Sequence, residues 1–225
     1  MLDAIMSGSI QLIILQAFSL LVVLFVCQPV HEFSHALAAK LLGDDTAEMQ
    51  GRLTLNPFAH LDLIGTIGIA LLGIGWGKPV PVNPRRCSKI KNTKAAMAIT
   101  SAAGPLSNLI TAFIFVVIYK LILHGLAGLE NMDMKVYIDF IFYTIIRIDI
   151  ALGVFNLIMP LPPFDGSRIF LAFLPEKYYF KIMQYEQIIL IVILMIMWTG
   201  ILNRPFNFLV NGVYDFLFLI TGFLN

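Results

Sequence analysis

Apolar residues fall in long runs along this chain, not in the narrow stripes or short alternations of a water-soluble fold. A run of about 20 apolar residues crosses the hydrocarbon core of a bilayer as a helix. The first run covers 10–42, interrupted at Pro29 and by the polar cluster from His31 to His35. The second, 61–76, is shorter and holds Gly65, Gly68, Gly73 and Gly75. Runs at 95–123 and 136–159 follow, the latter with Arg147 and Asp149 inside it. The last two, 188–202 and 206–224, are split by Asn203-Arg204-Pro205. There is no internal repeat, no low-complexity stretch and no separate soluble domain. The pattern predicts an all-α polytopic membrane protein. It is one integral membrane domain over 1–225, with a core at 10–170 and a C-terminal helical hairpin at 185–224.

Composition strengthens that reading. Hydrophobic residues make up 59% of the chain, against about 45–50% in soluble domains. Charged residues are 13% and the mean hydropathy is +0.86. A net charge of +1 gives no basic surplus for nucleic acid, so that partner is excluded. Cys27 and Cys87 lie far apart, which makes neither a disulfide framework nor a paired-cysteine zinc site. No signal peptide is expected, because no small-residue cleavage site follows the apolar run that begins at Ile10.

Charge sets the orientation. Lys78, Arg85, Arg86, Lys89, Lys91 and Lys94 crowd one connection, which the positive-inside rule makes cytoplasmic. Arg168, Lys177 and Lys181 form a second basic stretch on the same side, while the loop at 124–135 suits the outside. Three spans satisfy both: 10–42 inward, 95–123 outward and 136–159 inward. The segment 61–76 then has cytoplasm at both ends and reads as re-entrant, since irregular backbone is tolerated where protein buries it. A full span is the competing reading and would put Met1 and the basic connection on one side.

The candidate chemistry begins at His31-Glu32-Phe33-Ser34-His35. Residues i and i+4 share a helix face, so both imidazoles can reach one metal ion. Glu32 lies about 100° further around the helix, beside that ion. The alternative is a pair of packing histidines, but ionisable groups inside an apolar run are expensive and usually functional. A catalytic zinc takes a third protein ligand and leaves a position for water. His124 is at the wrong end of its span. His60 is a weaker candidate than Asp165. Before Asp165, Pro160, Pro162 and Pro163 break a helix at the depth expected for His31, and Gly166 permits a tight turn after it. An ordinary Asp-Gly turn is the other reading of that dipeptide.

Together these segments resemble the site-2 proteases, the intramembrane zinc metalloproteases of peptidase family M50. The resemblance runs from His31 to Gly166. His31-Glu32-Phe33-Ser34-His35 matches the metal and base motif, and Gly104-Pro105-Leu106-Ser107-Asn108 matches a GPxxN signature. The stretch from Asn156 to Gly166 matches NxxPxPxxDG. Gly51-Arg52-Leu53-Thr54-Leu55-Asn56-Pro57 and Gly77-Lys78-Pro79-Val80-Pro81-Val82-Asn83-Pro84 match segments of the compact bacterial branch. PDZ and CBS domains of other branches have no counterpart here. The resemblance implies a three-span metalloprotease core in a bacterial cell membrane, with the active site toward the cytoplasmic side. It implies one Zn2+ per chain on His31, His35 and Asp165, with Glu32 as general base. It offers Asn108 and Asn156 as oxyanion donors, against plain helix–helix hydrogen bonding. It implies a membrane-anchored protein as substrate and leaves any regulatory membrane partner open.

Residues 50–55 alternate polar and apolar as a strand does. Arg52, Leu53 and Thr54 are therefore expected either to pair with unwound substrate by strand addition or to form a small packing hairpin. Asp149 lies two turns before Asn156 and shares its face, so it lines the site or neutralises Arg147. Gly104-Pro105 reads as a helix start. Two other functions remain in view: a catalytically silent protein that binds substrate helices, and a zinc transporter. A di-iron oxidase fails, because four histidines are too few.

Overall fold

The computed structural model describes residues 9–62, 65, 68, 77–126 and 132–224. Most of the expected re-entrant segment at 61–76 lies outside the described residues, and so does Met1. Helix α1 (Ile10–Val22) opens with Ser9, whose hydroxyl accepts from Leu12 N–H. It continues through a π-helical turn at Val23–Cys27 into α2 (Gln28–Leu41). The wide turn sits just ahead of Pro29, which has no N–H to give to the carbonyl one turn earlier. Gln28 N–H bonds Val23 O instead. After α3 (Thr46–Met49), helix α4 (Thr93–Gly125) is capped by Asn92, whose side chain accepts from Lys94 N–H and Ala95 N–H. Then come α5 (Met132–Ile158), α6 (Asp165–Leu171), α7 (Glu176–Met183), α8 (Glu186–Trp198) and α9 (Asn203–Ile220).

Among the described residues, three helices are long and apolar enough to cross a membrane: Ile10–Leu41, Thr93–Gly125 and Met132–Ile158. They match the three expected spans. At about 1.5 Å per residue, even the shortest exceeds the roughly 30 Å hydrocarbon core. Helix α4 shows how such a helix divides its faces. Leu106, Ile110, Ile114 and Ile118 recur at four-residue spacing and are exposed, as a lipid-facing stripe should be. Its buried face is small and polar: Ala96, Thr100, Ser101, Gly104, Ser107, Asn108, Thr111 and Ala112. Small residues let helix backbones approach closely where no hydrophobic effect drives them together. Helix α4 packs against α2, α5 and α6, and α1 packs against α5. A core of Ala112, Val116, Ile146, Ile150, Val154, Val210 and Leu217 joins α4, α5 and α9.

Both basic stretches lie at one end of the bundle. Lys94 Nζ at the start of α4 donates to Leu174 O, 2.6 Å away, just past α6. At the other end Lys120 Nζ donates to Phe218 O and Thr221 O where α9 finishes.

Three expectations need correction. There is no strand among the described residues: 50–55 is turn and bend. The alternation misleads because the buried position is the polar one. Arg52 is buried, with Nη2 donating to Lys78 O at 2.6 Å, while Leu55 is exposed. Thr54 O is taken by His60 Nε2 at 2.7 Å. The loop is thus tied down by side chains, with no β-hairpin. Pro105 lies inside α4 and does not start it. Gly166 has no positive φ. A Cβ there would lie 2.6 Å from both Leu157 O and Met159 O, so glycine is needed for close backbone approach, not for turning.

Candidate metal centre

The site draws on α2, α4 and the junction between α5 and α6. His31, Glu32 and His35 lie on one turn of α2 and are all buried. Pro160, Pro162 and Pro163 end α5 after Ile158, and Asp165 is the first residue of α6. The break is held against α5 by Phe164, whose ring meets that of Phe155 edge-on at 4.6 Å. A carboxylate in the first helical turn is favoured by the helix dipole.

His31 Nε2 and His35 Nε2 are 3.0 Å apart, and each lies 3.3 Å from Asp165 Oδ2. The outer nitrogens are also engaged. His35 Nδ1 faces Thr100 O at 2.8 Å, and His31 Nδ1 faces Asn108 Oδ1 at 2.5 Å. Both partners are acceptors, so each ring carries a proton on Nδ1 and can turn a bare Nε2 lone pair inward. The residues therefore fit a metal ion. Three electron-pair donors this close repel one another unless a cation lies among them. Ligands at about 2.0–2.1 Å in a tetrahedron stand roughly 3.3 Å apart, close to the 3.0–3.3 Å found. Two imidazoles and a carboxylate suit zinc, and three protein ligands leave one position open.

Glu32 accepts from Gln28 Nε2, one turn earlier, at 3.1 Å, which orients its carboxylate. Asn108 also donates through Nδ2 to Asp149 Oδ1 at 2.6 Å. Asn156 donates to Leu152 O of its own helix at 3.1 Å. Neither of the other histidines joins the cluster. His60 is buried on the Thr54 carbonyl, and His124 is exposed in the last turn of α4. Arg147 does not pair with Asp149. Its guanidinium donates to Asn211 Oδ1 at 2.6 Å and Asn207 Oδ1 at 3.4 Å on α9, and lies over the Tyr143 ring.

Sequence reasoning missed Gly104 and Gln28. A Cβ on Gly104 would lie 2.8 Å from His31 Cε1 and would also press on the His35 ring. The glycine is the space into which the imidazoles fit. Its signal is masked in the sequence, because Gly104-Pro105 reads as a helix start; inside a helix such a glycine points to close packing.

A His-Glu-x-x-His helix whose histidines meet a distant carboxylate, set among membrane-length apolar helices, has the form of a metalloprotease site. The comparisons agree. The profile of peptidase family M50 matches residues 19–199, and the chain belongs to that family. It is an integral membrane metalloprotease by family and by its three apolar helices. It is 42% identical over 181 residues to a Bacillus subtilis protein named "Putative zinc metalloprotease YwhC", covering 80% of each chain. It is 27% identical over 191 residues to the Mycolicibacterium smegmatis "Putative zinc metalloprotease Rip2", covering 83% of this chain and 69% of that one. No solved structure matches the chain significantly.

Proposed function

We propose that this chain is an intramembrane zinc metalloprotease that cuts peptide bonds in or near the transmembrane segments of membrane-anchored proteins, the chemistry of regulated intramembrane proteolysis. The observation that carries the reading is the convergence of His31, His35 and Asp165 between helices long and apolar enough to span a bilayer. In this reading those three side chains hold one zinc ion, which supplies Lewis-acid polarisation and a strong nucleophile at neutral pH. Glu32 takes a proton from the attacking water and passes it to the leaving amine, as a general base and then acid. The C–N bond breaks and leaves a carboxylic acid and an amine.

The oxyanion that forms during attack needs a hydrogen-bond donor. Asn156 suits that role better than Asn108, because among the described residues its amide bonds its own helix, while Asn108 is engaged by His31 and Asp149. A peptide bond in an intact helix is sheltered, so substrate has to unwind before attack. Arg52, Leu53 and Thr54 are our candidates for receiving the unwound stretch. Their support is a run of contacts back to Glu32: Thr54 O accepts from His60 Nε2, a Cβ on Gly77 would touch both His60 O and Gln28 Nε2, and Gln28 Nε2 donates to Glu32. We assign the site to the cytoplasmic side of a bacterial cell membrane, on the basic residues gathered at that end of the bundle.

The test is cleavage of a single-span reporter protein in proteoliposomes. Cleavage is expected to stop with a zinc chelator and to return with one equivalent of zinc. Zinc flux across the vesicle wall without cleavage would favour a transporter instead.

A further inference from the structure

Asp149 is fully buried in the middle of an apolar helix, a placement that is expensive and usually functional. It does not neutralise Arg147, which is satisfied on α9. It accepts a hydrogen bond from Asn108 Nδ2 at 2.6 Å, and the Thr111 and Cys27 side chains face it as well. Asn108 is itself fully buried, and its Oδ1 lies 2.5 Å from His31 Nδ1. The three side chains thus form a line from α5 through α4 to α2. The close approach that allows it comes one turn after Asp149, at Gly153, where a Cβ would lie 2.9 Å from Pro105 O and 3.1 Å from Asn108 Cβ.

The direction of the line follows from the chemistry of its far end. A carboxylate only accepts, so Asp149 draws the NH2 end of the Asn108 amide toward itself. The oxygen end then faces His31, and His31 Nδ1 has to donate. That leaves the proton off Nε2, the atom aimed at His35 and Asp165. If the amide rotated by 180°, its NH2 would face Nδ1 and favour the tautomer with hydrogen on Nε2, which has no lone pair there for a metal. We propose that Asp149 is a positioning residue: by fixing the orientation of the Asn108 amide, it holds His31 in the tautomer that can ligate zinc. The inference rests on His31 being a zinc ligand, as argued above.

The experiment measures zinc affinity of the full-length protein in detergent at pH 8, by competition with a chromogenic chelator. The visible spectrum of the cobalt-substituted protein is recorded alongside. Outer partners of ligating histidines are typically worth about 10–100-fold in metal affinity, so Asp149→Leu is expected to weaken zinc by that factor and to perturb the cobalt bands. The exchange Asn108→Asp with Asp149→Asn keeps the charge, the acceptor toward His31 and the donor between the two sites. It is expected to hold zinc within about threefold of wild type, a rescue that mere packing at Asp149 does not provide. Wild-type affinity in Asp149→Leu overturns the inference. So does a folded double variant no better than Asp149→Leu, and the double variant decides the matter alone if Asp149→Leu fails to fold. His31→Ala separates the two levels. Undiminished zinc in His31→Ala sinks the ligand assignment itself, while loss there with no loss in Asp149→Leu sinks only the positioning role.

Discussion

Replacing Gly104 with alanine adds one methyl group to the interface of α4 and α2, and the outcome can be worked from the geometry. The new Cβ would stand 2.8 Å from His31 Cε1 and would crowd the His35 ring as well. Carbon atoms in contact settle at about 3.5–4.0 Å, so the imidazoles must withdraw by on the order of 1 Å. Metal–ligand distances tolerate only about 0.2 Å. The ion therefore loses ligands before the helices lose contact. Alanine is also the better helix former by about 1 kcal/mol, so α4 is not weakened by the change. The expected result is a folded protein with wild-type helix content, at least tenfold weaker zinc binding and no cleavage. Elemental analysis of the purified protein and circular dichroism in the same detergent read the two parts. Gly212→Ala is the control, because nothing lies within 4 Å of a Cβ there, and it should change neither. If Gly104→Ala keeps one zinc per chain and cleaves at the wild-type rate, the packing account of the site is wrong.

Three further outcomes are expected. His35→Ala removes one of the three donors, so elemental analysis of the purified variant should find zinc largely lost; a full complement of zinc would refute the ligand set. In a background lacking Cys27 and Cys87, cysteines at Ser88 and Met132 should label from opposite sides of the membrane, because α4 separates them, and same-side labelling would refute the three-span arrangement. Leu53→Pro removes an N–H and fixes φ in the loop beside the site. It should impair cleavage while zinc content stays at one per chain, whereas Leu53→Ala should be mild; a fully active Leu53→Pro would return the loop to plain packing.

What could be read from the sequence depended on how far apart the interacting residues lie. The His31–His35 pair needs only helical periodicity, four residues apart. The three spans need only run length and the placement of lysine and arginine. Three prolines announce a helix break before Asp165 at the right depth, but an ordinary Asp-Gly turn fits the same residues, and only the NxxPxPxxDG resemblance singles the carboxylate out as a ligand. Contacts set by the register between helices were not legible. Asn108 meets Asp149 across 41 positions, and Arg147 meets Asn211 across 64. Both depend on how α4, α5 and α9 slide against one another, which no local pattern encodes. The alternation at 50–55 failed for a related reason. A period of two marks a strand only where one face is apolar and buried, and here Arg52 is buried while Leu55 is not.

The most direct test of the central claim separates the metal from the chemistry. Zinc content and cleavage of a single-span substrate are measured on the same preparation of Glu32→Gln, with the cut bond in the wild-type product mapped by mass spectrometry. Glu32 is not among the proposed ligands, so the variant should keep one zinc per chain. Loss of its proton transfer should slow cleavage by about 10²–10⁴-fold, with the wild-type cut falling within or beside the transmembrane segment. Cleavage at the wild-type rate by zinc-loaded Glu32→Gln would contradict the account.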